Sequence, residues 1–480
     1  MINIRVNEDK LEYDIYTLFK AFLKNEEINI TNTDKTGDDF SGFDICIEKN
    51  SVCCKTIALD ESDYIKREEG DFADKSLLKN AMKRCIYLLL SEKYKEELPW
   101  GTLTGIRPTK LPMSMISEGK SEEYIRNYLK NTYYVSEDKM NLSIDIAKRE
   151  KTILDAIDTK NGYSLYIGIP FCPTTCLYCS FTSFPISLWK KRTDEYISTV
   201  IKEIDYVADN FNKKTLDTVY IGGGTPTTLE PEQLRYLIEY LKSKLDFSNV
   251  KEFTVEAGRP DSITREKLQV LMELGVDRIS INPQTMNDNT LNIIGRRHTT
   301  EDIITAFSLA RECGFDNINM DLILGLPGEN LSQVNNTMKR IKELDPESIT
   351  VHSLAIKRAA KMAEYLNMHP EIECVNTPDM LNATFAGAKA MNMQPYYLYR
   401  QKNMAGNYEN VGFAKEGHFG IYNILIMEEV QSIIACGAGT VTKRVYGDGR
   451  IERCDNVKDV ALYISKIEEM IDRKRQLFKD

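Results

Sequence analysis

Tyr166-Ile167-Gly168-Ile169-Pro170-Phe171-Cys172-Pro173-Thr174-Thr175-Cys176-Leu177-Tyr178-Cys179 joins an apolar, β-rich run to three cysteines spaced C-x3-C-x2-C. The run Ser164 to Ile169 predicts a strand, so the thiols fall just past its C-terminal end. Five more strands are expected, at Leu216 to Ile221, Glu252 to Ala257, Asp277 to Ile281, Asn317 to Leu322 and Ser348 to His352. Stretches with apolar residues three and four apart separate them, among them Glu232 to Leu245, Thr264 to Leu274, Glu301 to Cys313 and Leu331 to Leu344. Strand and helix in alternation predict βα units on a parallel sheet. Six units fall short of the eight that close a barrel, so the fold class is α/β, a partial (β/α)6 TIM-like barrel. Its working face lies at the strand C-terminal ends.

The flanks have a different texture. Residues 1–155 predict an α+β domain, with strands near Asp44 to Ile47 and Cys53 to Leu59 and helices around Leu77 to Tyr94 and Ser121 to Asn131. Leu98 to Lys110, punctuated by Gly and Pro and carrying Trp100, Arg107 and Lys110, reads as a linker or a ligand loop. The barrel is expected over 156–365. Residues 366–480 form a C-terminal mixed and helical extension that would cover the substrate, irregular and Gly-rich from about residue 400 through Gly439 and helical over Val457 to Phe478.

The 480 residues carry 62 Lys plus Arg against 72 Asp plus Glu, a net charge of −10. Such a chain repels a phosphate backbone, so no nucleic acid is expected as partner. No apolar stretch reaches membrane-spanning length and the N-terminus has no signal-peptide pattern, which makes the expected location the cytoplasm. Eleven cysteines, an odd number mostly set singly in apolar runs, suit a reducing compartment.

The triplet is the exception. A structural zinc needs a fourth ligand, which the loop does not supply, and the nearest histidine in sequence is His298. Three thiolates suit a [4Fe-4S] cube, because an iron without a protein ligand becomes a coordination site for another molecule. Other polar residues recur where strands end. Gly222-Gly223-Gly224-Thr225 follows the second strand, and glycines there let a ligand lie on the backbone and its N–H donors; a tight βα turn also calls for glycine. Glu256 ends the third strand, Gln284 and Arg296 follow the fourth, and Asp321 lies near the end of the fifth. Arg296 could fork onto a carboxylate.

The C-x3-C-x2-C loop with an aromatic before its last Cys resembles the signature of radical S-adenosylmethionine (SAM) enzymes. Ile169-Pro170-Phe171-Cys172, Gly222-Gly223-Gly224-Thr225-Pro226-Thr227 and Asp321-Leu322-Ile323-Leu324-Gly325-Leu326-Pro327-Gly328 resemble the oxygen-independent coproporphyrinogen III oxidase group. Gly105-Ile106-Arg107-Pro108-Thr109-Lys110 is similar to its clostridial and bacillar branch. The resemblance implies that Cys172, Cys176 and Cys179 hold the cluster. It implies SAM contacts at Tyr166, Gly223, Gly224, Thr225, Glu256, Gln284, Arg296 and Asp321, and at Ala355 through its backbone. A second SAM is implied by resemblance alone. So is the reaction, in which a SAM-derived radical takes a hydrogen from each of two propionates, CO2 leaves, and protoporphyrinogen IX forms for heme biosynthesis. The partners then are a tetrapyrrole substrate, an electron donor such as flavodoxin or ferredoxin, and an electron acceptor.

Two positions depart from the decarboxylase pattern: Phe181 stands where those enzymes carry a fourth Cys, and Gly168 where they carry His. The alternatives are a heme chaperone and a heme-degrading radical SAM methyltransferase. Candidate cations for a tetra-anionic substrate are Arg107 and Lys110, Lys357 and Arg358, and Arg400 and Lys402. His298 and His352 lie near the working face.

Overall fold

In the computed structural model, strands β1 (Ile2–Val6), β2 (Ile28–Asn32), β3 (Gly42–Glu48), β4 (Ser51–Ile57) and β5 (Ile65–Glu69) form one sheet in the order β2-β1-β3-β4-β5. The described residues are 1–24, 26–33, 40–58, 64–356, 361–401 and 408–479; Leu59, Lys357, Arg358 and Lys402 lie outside them. Only β3 and β4 are predictable by pattern, because β1 and β2 are five residues long and interleave apolar with polar side chains. Ile4, Val6, Phe43, Ile45 and Val52 share a core with the helices Glu12–Phe22 and Lys75–Tyr94. The loop after Leu98 differs from a linker. Trp100 and Thr102 are buried, and the Thr102 N–H donates to the Tyr133 carbonyl at 2.8 Å. Gly101 is required there, since its φ is +52° and a Cβ would lie 1.9 Å from the Tyr133 oxygen.

These elements belong to the first of two units, Met1–Lys148; the second is Arg149–Asp480. The second unit contains β6 (Gly162–Ile169), β7 (Phe171–Cys172), β8 (Phe184–Pro185), β9 (Thr215–Gly223), β10 (Glu252–Glu256), β11 (Arg278–Ser280), β12 (Ile318–Leu324) and β13 (Ser348–Ser353). Then come β14 (Gln394–Tyr399), β15 (Asn410–Ala414), β16 (Ser432–Cys436), β17 (Val441–Val445) and β18 (Ile451–Asp455). Apart from the β7–β8 pair, all form one open sheet, ordered β14-β15-β13-β12-β11-β10-β9-β6-β16-β17-β18. From β6 to β13 the neighbours are parallel, as six βα units require. Val219, Ile221, Val255, Ile279, Met320, Ile349 and Val351 are wholly buried, the mark of strands covered on both faces.

The helices between them start where side chains cap them. Thr264 accepts from the Lys267 N–H ahead of Arg265–Glu273, and reciprocal capping boxes, Thr299 with Asp302 and Asn330 with Gln333, open Thr300–Glu312 and Leu331–Leu344. Residues beyond 365, expected as a separate extension, are built into the same sheet. β16 pairs in parallel with β6 from Ser432↔Tyr163 to Cys436↔Ile167, and β15 runs antiparallel to β13. These strands are five-residue runs amid glycines, too short for periodicity to separate from loop.

Candidate active site

β6 ends at Ile169, and the cysteine segment crosses the C-terminal ends of the parallel strands. β7 pairs with β8 through Phe171↔Phe184 and Cys172↔Pro185. The Leu177 N–H donates to the Ile294 carbonyl at 3.0 Å, fixing the loop to the far side of the mouth. Cys172 and Cys176 are buried and Cys179 is half-buried. Burial pushes the Cys172 thiol up to about 11 and raises Cys179 as well.

Donors and cations face these sulfurs. The Thr225 hydroxyl donates to Cys172 Sγ at 3.5 Å, and Arg259 Nη1 lies 3.9 Å from Cys176 Sγ. The buried Arg259 also donates to the Thr174 hydroxyl and pairs with Asp261 through both carboxylate oxygens, at 2.9 and 2.7 Å. Arg296 contacts Cys176 and Tyr178; burial opposes its charge, but the Tyr178 and Cys176 contacts outweigh that and raise its pKa above the ordinary value. Its Nη1 donates to the Asn282 carbonyl. Arg296 is therefore placed against the cysteine loop, where a SAM carboxylate was expected. Arg259 was not singled out from sequence; its only signal was a basic residue within a few positions of the end of β10.

The strand ends bring most of the remaining candidates together. Tyr166 and Tyr220 are register partners on β6 and β9, and their rings stack at 5.9 Å; Tyr422, from the helix Ile421–Glu428, stacks on Tyr220 at 4.5 Å. The Tyr220 hydroxyl donates to Glu256 Oε1 at 2.6 Å. Burial, opposed by this bond and reinforced by Asp321, pushes Glu256 up to about 7. Asp321 accepts from Asn319 Nδ2 at 2.7 Å, and its own N–H donates to Asn282 Oδ1 at 3.2 Å. Gln284 donates its N–H to the Asp321 carbonyl and accepts from the Ile323 N–H, both at 2.9 Å, while holding a φ of +67°. Such a backbone for a non-glycine residue is strained and recurs at ligand sites. His352 Nε2 lies 4.0 Å from Asp321 Oδ2, with the Tyr399 hydroxyl 3.3 Å from its Nδ1. Ala355 lies two residues past β13.

The glycine run works differently from the expectation of open N–H donors. Gly223 donates to Glu256, Gly224 to the Ile169 carbonyl at 2.8 Å and Thr225 to the Phe171 carbonyl at 2.7 Å. Its value is close approach: a Cβ on Gly224 would lie 2.5 Å from the Phe171 oxygen, and one on Gly222 would lie 3.0 Å from the Glu256 carboxyl carbon. Gly168 is similarly constrained, because its Cβ would meet Thr440 Cγ2 at 2.4 Å. Phe181 is exposed. His298, the histidine nearest the triplet in sequence, is buried with no hydrogen bond to either ring nitrogen, Asp261 Oδ1 lying 3.9 Å from its Nδ1, and is pushed down to about 4, chiefly by burial. Arg400 is also buried, its charge opposed by burial and favoured by Glu409, so it is no surface clamp for an anion.

Among the described residues no three His, Cys, Asp or Glu side chains converge to chelate a single metal ion. A [4Fe-4S] cube interposes iron and sulfide between its thiolates and needs no such convergence. Two guanidiniums and a hydroxyl aimed at the cysteine sulfurs suit sulfur bearing negative charge, as cluster ligation provides. The buried Gln284 Oε1, Arg296 Nε and Ser280 Oγ have no hydrogen-bond partner. Each such atom costs about 1–3 kcal/mol, which a polar ligand at the barrel mouth would relieve. The donor set thus fits a cluster with a polar cofactor beside it.

Comparison with known proteins agrees with this geometry. The radical SAM superfamily matches residues 166–341. The oxygen-independent coproporphyrinogen-III oxidase-like protein HemZ of Bacillus subtilis is 42% identical over 380 residues, which are 78% of this chain and 76% of that protein. The heme chaperone HemW of the same organism is 40% identical over 195 residues, 40% of this chain and 51% of that one. The solved coproporphyrinogen III oxidase HemN of Escherichia coli, a radical SAM enzyme, superposes with a TM-score of 0.51 at 22% identity, over 67% of this chain and 73% of its own, a likeness of fold. Superfamily membership implies a [4Fe-4S] cluster and SAM. A chain that sets three cysteines at the mouth of an open parallel barrel and is 42% identical to HemZ over 78% of its length belongs to the radical SAM superfamily, in the HemZ-like branch of its coproporphyrinogen-III oxidase-like proteins.

Proposed function

We propose that this protein carries out the radical SAM oxidative decarboxylation of coproporphyrinogen III to protoporphyrinogen IX in an anaerobic cytoplasm. The observation that carries the proposal is the gathering of Glu256, Gln284 and Asp321, with an unpartnered Gln284 Oε1, beside the cysteine-bearing segment. When bound, the cluster and SAM supply a radical that takes hydrogen from an unactivated carbon.

Cys172, Cys176 and Cys179 would hold the cluster, with Thr225, Arg259 and Arg296 set against the sulfurs. Tyr166, Glu256, Gln284, Asp321 and the Ala355 backbone would hold SAM, beside Gly222 and Gly224, whose lack of a Cβ lets the Glu256 carboxyl and the Phe171 carbonyl pack close. Tyr220 fixes one oxygen of Glu256, and near neutral pH that carboxyl is able both to accept and to donate a hydrogen bond. The stacked rings of Tyr166, Tyr220 and Tyr422 exclude water from below the cleft. We assign the substrate propionates to Lys357 and Arg358 from their sequence position just after β13. A single SAM is favoured, because Thr440 fills the space beside Gly168.

A second reading, a heme carrier, is favoured by Phe181 in place of a fourth Cys and by the similarity to HemW. Anaerobically reconstituted protein given coproporphyrinogen III, SAM and dithionite separates the two. Decarboxylation is expected to yield CO2 and vinyl product. Stoichiometric heme binding without turnover would overturn it, as would a methylated linear tetrapyrrole.

A further inference from the structure

Below the strand ends, polar side chains on β11 to β13 are hydrogen-bonded to one another across the sheet. Ser348, Thr350 and His352 alternate along β13, and Asn319 and Asp321 along β12, with Asp321 and Thr350 in register. The lower groups satisfy one another. Ser348 Oγ donates to Asn319 Oδ1 at 3.1 Å and accepts from Arg278 Nη2 at 2.8 Å, while Thr350 Oγ1 donates to the same Asn319 oxygen at 3.3 Å. All four of these residues are buried. The uppermost pair is not closed in this way. His352 Nε2 and Asp321 Oδ2 lie 4.0 Å apart, too far for a hydrogen bond. Their side chains are 30% and 25% exposed, so the gap between them opens on the barrel mouth.

Each of the two groups is fixed on its other side. Asp321 Oδ1 accepts from Asn319 Nδ2 at 2.7 Å. His352 Nδ1 lies 3.3 Å from the Tyr399 hydroxyl, whose oxygen also accepts from the Gln401 side chain. A phenol that accepts there has its one proton left to donate to Nδ1. Enclosure lowers the pKa of His352 below the ordinary imidazole value, against the pull of Asp321, so the ring is neutral near pH 7. A neutral imidazole that accepts at Nδ1 carries its proton on Nε2, on the side of the carboxylate. The gap thus has an N–H donor on one wall and a carboxylate acceptor on the other. An oxygen about 2.8 Å from each would see them at an angle of about 90°, which suits a group that accepts with a lone pair and donates its own proton.

We propose that His352, oriented by Tyr399, and Asp321 together clamp one ribose hydroxyl of a nucleoside ligand, the imidazole donating to the hydroxyl oxygen and the carboxylate accepting its proton. The inference rests on the assignment of Asp321 to SAM made above and adds His352 and Tyr399 to that site. In this arrangement His352 touches the ligand, and Tyr399 is a positioning residue that acts through the imidazole tautomer. A hydroxyl is the group that fits. A carboxylate or phosphate would meet Asp321 as a like charge, and an ammonium has no lone pair for the Nε2–H. The clamp also sets a specificity, because a ligand without that hydroxyl leaves both walls of the gap unpaired.

Equilibrium dialysis of the anaerobically reconstituted protein against S-adenosylhomocysteine and its 2'-deoxy and 3'-deoxy forms tests the clamp without turnover. The parent is expected to bind one deoxy form about tenfold to a hundredfold more weakly than S-adenosylhomocysteine, the loss of one neutral and one charge-assisted hydrogen bond. His352→Phe keeps a ring but has no donor. It should weaken S-adenosylhomocysteine about fivefold to tenfold and that deoxy form hardly at all, so the penalty for the missing hydroxyl shrinks. His352→Gln, whose amide can stand in for Nε2, should restore part of the loss, and Tyr399→Phe should shrink the same penalty by a smaller factor. Loss of affinity by one common factor for all three ligands would make His352 structural only and overturn the proposal. Unchanged affinities in the variants would overturn it too, leaving the gap to a bridging water, as would a parent that does not bind S-adenosylhomocysteine or does not discriminate among the three. If His352→Phe loses its iron, the comparison of the parent with Tyr399→Phe and His352→Gln decides by the same criterion. A parent that discriminates as expected but releases no CO2 from coproporphyrinogen III would count against the proposed function alone and leave the clamp standing.

Discussion

Replacing Gly168 by Ala tests whether the C-terminal segment shapes the barrel mouth. The new Cβ would lie 2.4 Å from Thr440 Cγ2, far inside ordinary contact, whereas its next neighbours, the Cys436 carbonyl oxygen and Tyr166 Cε1, are at 3.5 and 3.6 Å. One methyl group is thus the whole obstacle. Overpacking of this kind costs about 1–3 kcal/mol. Thr440→Ser removes that methyl and keeps the hydroxyl that donates to the Gly437 carbonyl at 2.8 Å, at a cost of about 1 kcal/mol for the lost apolar group. Together the substitutions should recover about 1–2 kcal/mol relative to the sum of the singles. A chain of two units need not unfold in one step, so hydrogen exchange of the β6 and β16 amides is the suitable measurement, since it reports the opening of this region itself. If the double variant loses stability additively, within about 0.5 kcal/mol, Thr440 does not fill the space beside Gly168, and the argument for a single SAM fails with it.

Four further outcomes follow from the site. Glu256, pushed up to about 7 by burial, binds a proton more tightly folded than unfolded, so the protein without SAM should lose stability as pH rises from the ordinary carboxyl range near 4.5 toward 7; Glu256→Gln should flatten that part of a melting-temperature profile, and an unchanged slope would assign it to another group. Thr225→Val removes the hydroxyl donated to Cys172 Sγ, so the iron content should stay and the cluster potential should fall in an EPR-monitored titration; loss of iron would mean that Thr225 holds the loop rather than tunes the sulfur. Asp321→Ala should weaken SAM binding in equilibrium dialysis without bleaching the cluster, whereas changing any of Cys172, Cys176 or Cys179 to Ala should abolish both colour and SAM cleavage. Lys474 and Glu203 form an ion pair at 1% and 0% side-chain exposure, and Glu203 also accepts from the Gly437 N–H at 2.7 Å. Lys474→Met should therefore cost about 3–5 kcal/mol, and Lys474→Met/Glu203→Gln distinctly less, because the single change strands a buried charge.

The legibility of this protein divides along the range of the interactions involved. Each of the six parallel strands from β6 to β13 is bracketed by its own helix and stop signals, so local pattern alone located them, and Leu331–Leu344 was bounded to the residue. The cysteine triplet was equally legible, because three ligands on one loop are a local feature. β1, β2 and β14 to β18 were not, since strands of five or six residues become strands only through the neighbours they pair with.

Sequence by itself determined that an open parallel barrel presents three thiols at its mouth, with Glu256, Gln284 and Asp321 at neighbouring strand ends, for each lies within a few residues of the strand that carries it. Only the tertiary structure decided what those groups meet. It turned Arg296 and the unsuspected Arg259 toward Cys176, engaged the N–H groups of Gly223 and Gly224 within the protein, and set Thr440 where a side chain at Gly168 would go. Hydrogen-bond partners and close contacts join residues up to some 270 positions apart, and no pattern along the chain encodes such a meeting.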